Sequence, residues 1–110
     1  FIVPKIKKSV KTNFLAYPII LKNNLSFSRK EIQIYLEKNN IQTRPIFSGN
    51  SLRHPAFSSL INKTNKLNSF KNSDYIMKHG LLIGCHQGLS IKNISYIHDV
   101  IINFINKRDK

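Results

Sequence analysis

Apolar and polar positions alternate along the chain in blocks that predict seven elements. Residues 14–21 (F-L-A-Y-P-I-I-L) form a rich apolar run of strand length. Pro18 has no amide hydrogen for a ladder, so this strand is expected at a sheet edge or with a bulge. Lys22-Asn23-Asn24 supplies the turn that follows. Ser28-Arg29-Lys30-Glu31 has the spacing of a capping box, with Phe27 and Ile32 placed as a hydrophobic staple. A helix follows with Ile32, Tyr35 and Leu36 on its apolar face, and Asn39-Asn40 ends it. Residues 41–47 predict a second strand. The stretch 58–71 is polar and poorly periodic, and reads as a helical turn followed by a surface loop.

Ser73 is the expected cap of a short helix, with Asp74 in its first turn and Gly80 as terminator. Residues 81–85 (L-L-I-G-C) predict a short buried strand, and His86-Gln87-Gly88 turns the chain. Ser90 then caps a last helix whose Ile91, Ile94, Ile97, Ile101, Phe104 and Ile105 make one apolar stripe. Leu89 and Ile94 are a second candidate staple. The order strand, helix, strand, loop, short helix, strand, long helix predicts a small α+β layer with helices packed on one face of a short sheet. Residues 1–13 show no sustained period and read as a lead-in or linker before a domain over 14–107.

Composition changes this picture in three ways. A chain of 110 residues makes one domain with a modest core. It lacks an initiator Met, which suggests a piece of a longer protein, and no apolar run is long enough to span a bilayer. The formal charge of +13 raises nucleic acid as a partner. However, 14 of the 18 cations are Lys, scattered among abundant Ile and Asn. That distribution reads as a solvated surface rather than a nucleic-acid footprint; only Lys5, Lys7, Lys8 and Lys11 cluster. The lone Cys85 excludes an internal disulfide and fits a reducing, cytoplasmic setting.

The carboxylates Glu31, Glu37, Asp74, Asp99 and Asp109 are explained by capping or solvation, and no pair is spaced for acid–base work. No His-x-x-His or Cys-x-x-Cys spacing points to a metal. Cys85 is adjacent to His86, so on a strand the two face opposite ways; a buried structural thiol is expected rather than a nucleophile. His79 and His98 belong to helices. His86, in a loop after a strand, is a candidate ligand contact. The richest stretch is 41–57 (I-Q-T-R-P-I-F-S-G-N-S-L-R-H-P-A-F). Gly49 and Asn50 are the residues there that most easily accept positive φ. Arg44, Asn50, Arg53 and His54 are candidates to converge on a polar or anionic ligand, Arg being suited to two-pronged phosphate contact.

Five blocks, in order, resemble the C-terminal small domain of the DegT/DnrJ/StrS-type sugar aminotransferase family. They are Ala16-Tyr17-Pro18-Ile19; Arg29-Lys30-Glu31 with Tyr35-Leu36-Glu37; and Ile41-x-Thr43-Arg44 followed by Phe47-x-Gly49-Asn50-x-x-Arg53-x-Pro55-Ala56. Asn72-x-Asp74-x-Ile76-Met77 and Ile83-Gly84-x-His86-x-Gly88-Leu89 complete the set. Within the family the likeness is to nucleotide-sugar 3-dehydratases of lipopolysaccharide biosynthesis, of the kind acting on CDP-4-dehydro-6-deoxyglucose. The chain departs from the pattern at Phe14, His54 and Gln87.

The resemblance implies part of a fold-type I enzyme dependent on pyridoxal or pyridoxamine 5′-phosphate, normally a homodimer. Its cofactor and catalytic base would lie in a large domain outside this segment, so the segment alone would bind no cofactor and be inactive. In the dehydratase chemistry the cofactor's amine condenses with the C4 ketone of a nucleotide-linked 4-keto-6-deoxyhexose, and the C3 hydroxyl is lost. The cofactor is the electron sink and the protein orients the reactants. Asn50, Arg53 and His86, then Arg44 and Gly49, would contact the sugar nucleotide. Some members carry an iron–sulfur cluster, of which Cys85 alone gives no sign. The other readings are a sugar-nucleotide aminotransferase of the same family, a basic nucleic-acid-binding module, and an inactive gene remnant.

Overall fold

The computed structural model describes residues 1–57, 59 and 69–108. The expected helical turn and loop over 58–71 therefore fall mostly outside the described residues, as does Asp109. Three strands form one antiparallel sheet: β1 (Ala16–Ile20), β2 (Thr43–Pro45) and β3 (Gly80–Gly84), in the order β1-β3-β2. Three α-helices are described: α1 (Arg29–Lys38), α2 (Lys71–His79) and α3 (Ile91–Arg108). Pro18 sits on the edge strand, opposite Leu82 of the central one. The outer side of β1 is capped by the lead-in, where Ile2 and Ile20 exchange backbone hydrogen bonds of 2.8 and 3.0 Å. Phe1 packs near Phe27, with ring centroids 6.5 Å apart. The first residues are thus joined to the sheet.

Register decides which face is dry. Tyr17 and Ile19 of β1 stand opposite Ile83 and Leu81 of β3, and Thr43 stands opposite Ile83, so these side chains share one face. α1 and α3 supply the other half of the core, through Ile32 and Leu36 and through Val100 and Phe104. Leu36 and Leu81 are wholly buried, and burying each such side chain contributes about 1.5–3 kcal/mol. Phe104 stands edge-on to Phe27 at 4.8 Å and tilts against Tyr35 at 5.0 Å. The opposite face carries Pro18, Leu82 and Arg44 in one row.

The start of α1 follows the sequence expectation in detail. The Ser28 amide and hydroxyl both donate to Glu31 Oε2, at 2.9 and 2.8 Å, while Ser28 Oγ accepts from the Glu31 amide. Those bonds to Ser28, with Arg108 3.0 Å from Glu31 Oε1 as a lesser cause, hold the Glu31 carboxyl below the usual value. Asn40, at φ 58°, makes the left-handed exit. Glu37 then pins the next strand, accepting from the Thr43 amide at 2.6 Å and its hydroxyl at 3.0 Å.

Four expectations are corrected. The second strand is only Thr43–Pro45, because Pro45 has no donor and Phe47 already turns left-handed. α2 begins two residues before Ser73: the Asp74 amide already bonds the Phe70 carbonyl at 3.0 Å, so Ser73 lies within the first turn rather than at the cap, which is Phe70. The stripe of α3 is buried only in its second half. Ile91 and Ile94 are 86% and 56% exposed, while Val100, absent from the expected stripe, is buried. At about 1.5 Å per residue, an 18-residue helix overhangs the 10-residue α1, and Ile91 and Ile94 on its first turn face solvent. Cys85 is exposed rather than buried, since it lies just past the end of β3.

Candidate functional site

The stretch 41–57 leaves the sheet at Pro45 and folds into a compact loop. The Gly49 amide donates to the Ile46 carbonyl at 3.1 Å, closing a turn with Phe47 at φ 43° and Gly49 at φ 62°. Left-handed backbone was expected at Gly49 and Asn50; it occurs at Phe47 and Gly49. Asn50 is extended (φ −98°, ψ 104°) and caps the 3-10 turn Ser51–Arg53, its Oδ1 accepting from the Leu52 amide at 3.1 Å. A second 3-10 turn, Pro55–Phe57, follows. Gly49 is required twice over. Its φ disfavours a side chain, and a Cβ there would lie 2.5 Å from Met77 Cβ.

Asn50 and Arg53 converge on an anion, as their spacing suggested, but the anion belongs to the chain. Asn50 Nδ2 donates to Asp74 Oδ1 at 2.7 Å. Arg53 Nε donates to the same oxygen at 2.9 Å, and Arg53 Nη2 to Asp74 Oδ2 at 2.6 Å. Hydrogen bonds from Arg53 first, then Asn50, lower the Asp74 carboxyl to about 2, and the bond to Asp74 raises the Arg53 guanidinium. Asn50 is only 4% exposed. His54 does not join this cluster; its Nε2 lies 2.7 Å from the Ser48 carbonyl oxygen, tying the loop to itself.

Arg44 and His86 stand apart. Arg44 is exposed on the face of the sheet away from α1 and α3, opposite Leu82, and its guanidinium has no hydrogen-bond partner among the described residues. His86 is exposed just beyond β3, with Nδ1 accepting from the Gly88 amide at 2.9 Å. With Nδ1 so engaged, the neutral ring carries its proton on Nε2, leaving a donor to point outward. His86 lines two grooves. One, of about 210 Å³, runs between Gln42, Gly84 and the first turns of α3, with Asn93 and Tyr96 on its wall. The other, of about 540 Å³, is bounded by Thr12, Phe14, Cys85 and Gln87.

Two contributors were invisible as such in the sequence. In sequence Asp74 has the position of a helix-terminal charge within one of the family-like blocks, and nothing local to it points to Asn50 and Arg53 as partners. Arg29, the first residue of α1, reaches across to α2, donating through Nη1 to the carbonyls of Met77 at 2.7 Å and Gly80 at 3.3 Å. It satisfies carbonyls at that helix's end, where a cation is electrostatically favoured. The same helix is tethered to β1 by Tyr75, whose hydroxyl donates to the Leu21 carbonyl at 2.7 Å.

A pyridoxal phosphate needs a carboxylate for its ring nitrogen, a cradle for its phosphate and a lysine or histidine beside its reactive carbon. The described residues do not assemble these. Asp74 is held by Asn50 and Arg53, and Glu37 by Thr43. Neither groove beside His86 has a carboxylate or a lysine among its walls. No group of three or more His, Cys, Asp and Glu among the described residues is arranged to hold a metal ion.

Comparison with known proteins identifies the family and the fold. The sequence pattern of the DegT/DnrJ/EryC1/StrS aminotransferase family matches residues 1–102. The lipopolysaccharide biosynthesis protein RfbH of Salmonella typhimurium is 28% identical over 95 residues, 86% of this chain and 21% of that protein. The dTDP-4-dehydro-2,6-dideoxy-D-glucose 3-dehydratase of Saccharopolyspora spinosa is also 28% identical over 95 residues, 20% of its length. Among solved structures, Escherichia coli GDP-4-keto-6-deoxy-D-mannose-3-dehydratase with bound hydrated PLP superposes with a TM-score of 0.61 at 27% identity. The match covers 77% of this chain and 22% of that one. The chain thus spans about a fifth of the length of the curated relatives it matches.

Proposed function

Because the chain belongs to the DegT/DnrJ/EryC1/StrS aminotransferase family, we propose that it is the small domain of a nucleotide-sugar 3-dehydratase. The enzyme removes the C3 hydroxyl of a nucleotide-linked 4-keto-6-deoxyhexose, on the way to a deoxysugar of lipopolysaccharide. The observation that carries this reading is agreement between sequence and fold: relatives whose names specify 3-dehydration of 4-keto sugars, and a similar fold in such an enzyme. The complete enzyme is a cytoplasmic homodimer, and its cofactor and proton-transferring base lie outside residues 14–107.

The part left to this chain is one wall of the sugar-nucleotide pocket. Gly49, Asn50 and Arg53 give the loop its shape, while Arg44 and His86 have polar heads free for a ligand. An exposed guanidinium suits a diphosphate, and the Nε2–H of His86 suits a sugar hydroxyl or carbonyl oxygen. These contacts bind and orient; they transfer no proton.

Full-length enzyme incubated with a nucleotide-linked 4-keto-6-deoxyhexose, pyridoxamine phosphate and an amino donor tests the reading. A 3-deoxy sugar is the expected product. An amino sugar instead would assign the protein to the aminotransferases of the family, and no conversion of any such substrate would overturn the reading.

A further inference from the structure

α2 offers the loop a single seat. Asp74 and Met77 are three residues apart and so share one helix face. Gly49 packs against Met77 so closely that a Cβ would be 2.9 Å or less from three of its atoms. One helical turn away, Asp74 takes three donors from Asn50 and Arg53. The end of the turn and the residues that follow it are therefore anchored at two points of the same helix.

Just before the first of these anchors the backbone is strained. Phe47 holds φ 43° although it is not glycine, and its side chain is 80% exposed. Its own packing cannot offset the left-handed backbone, so the offset comes from the anchors that follow it at Gly49, Asn50 and Arg53. The grip takes up the polar atoms that face Asp74, although the Arg53 side chain keeps 36% of its surface exposed. Arg53 commits Nε and Nη2 to one carboxylate, and Asn50 uses both its amide oxygen and nitrogen while nearly fully buried.

We infer that Asp74 is the positioning residue of this site. By holding Asn50 and Arg53 it fixes residues 46–54 in one shape, and the Arg53 guanidinium is the other half of a clamp rather than a receptor for substrate phosphate. The inference rests on the reading of this loop as a pocket wall. It moves phosphate recognition away from Arg53 and leaves Phe47, 80% exposed, as a large apolar side chain that the loop displays.

The test uses the full-length enzyme with a nucleotide-linked 4-keto sugar as probe, comparing Asp74→Ala, Arg53→Ala and the double variant. Each single change is expected to raise KM by roughly 10- to 100-fold with a smaller effect on kcat. The double variant is expected to be no worse than the poorer single, since both remove one device. Arg53→Lys keeps the charge but cannot make the two-pronged contact, and is expected to behave like Arg53→Ala. Amide exchange should quicken at Gly49, Arg53 and His54 in Asp74→Ala. The clamp is overturned if Arg53→Ala raises KM while Asp74→Ala does not, if the two effects multiply, or if Arg53→Lys retains wild-type KM. A wild-type enzyme inert toward every nucleotide-linked 4-keto sugar would defeat the functional reading instead. The exchange rates would still decide the clamp: unchanged protection in Asp74→Ala sinks it.

Discussion

Phe47 is the residue at which local preference and tertiary structure conflict most openly. An L-residue in the left-handed region is disfavoured by about 1–2 kcal/mol, yet Phe47 sits at φ 43° with most of its ring in solvent. Phe47→Gly and Phe47→Ala remove the same ring, but only glycine relieves the backbone. Thermal or urea unfolding is therefore expected to find the glycine variant more stable by about 1 kcal/mol, less the extra freedom glycine gains when unfolded. Asp74 makes a second prediction at this scale. Its native carboxyl titrates at about 2 against an ordinary 3.8, so between those values the unfolded chain binds more protons than the folded one. The Asp74 contribution is complete above pH 4 and is lost as pH falls towards 2. Acid unfolding of Asp74→Asn should lack that part of the slope. His79 is lowered too, by burial first and then by Lys78 and Arg29. It contributes stability above its ordinary 6.5 that fades on acidification below it.

Elements were legible where their signals are local. The capping box of α1 needs only four consecutive residues to be right, and it appeared atom for atom. Ser28→Ala is expected to destabilise the chain by about 1 kcal/mol, measurable by denaturant unfolding. The last helix closes a similar pair: Ser90 Oγ accepts from the Asn93 amide at 3.2 Å, and Asn93 Oδ1 accepts from Ser90. α2 shows the limit of such reading. Ser73 has the right chemistry for a cap, but Arg29, Tyr75 and the approach of β3 place this helix, and it starts two residues earlier. Strand β2 fell short of expectation for a similar reason. Apolar residues continue to Phe47, but the left-handed turn seated on α2 takes over after Pro45.

At the scale of the molecule, burial separates two kinds of apolar residue that look alike in sequence. Leu36→Ala, in the layer between sheet and helices, is expected to cost about 2–5 kcal/mol because it empties a fully closed position. Ile91→Lys and Ile94→Lys lie on the overhanging turns of α3 and should change stability by no more than about 0.5 kcal/mol in the 110-residue chain. Equilibrium unfolding of the three variants checks both. The same view explains the candidate site. Arg44, Asn50, Arg53 and His54 were grouped because they are close in sequence. A β-strand sends Arg44 to the face away from α1 and α3, whereas the loop turns Asn50 and Arg53 to Asp74, 24 and 21 residues further on.

By itself the sequence determined element order, the α+β class, the edge position of β1 and the family likeness. Each rests on local periodicity, on capping chemistry, or on short blocks whose order survives without knowledge of contacts. Only tertiary structure decided which cations remain free and which are consumed. A guanidinium between a phosphate and a carboxylate goes to whichever is brought within hydrogen-bonding distance. Here packing of Gly49 on Met77 brings Asp74 to Arg53 before any ligand arrives.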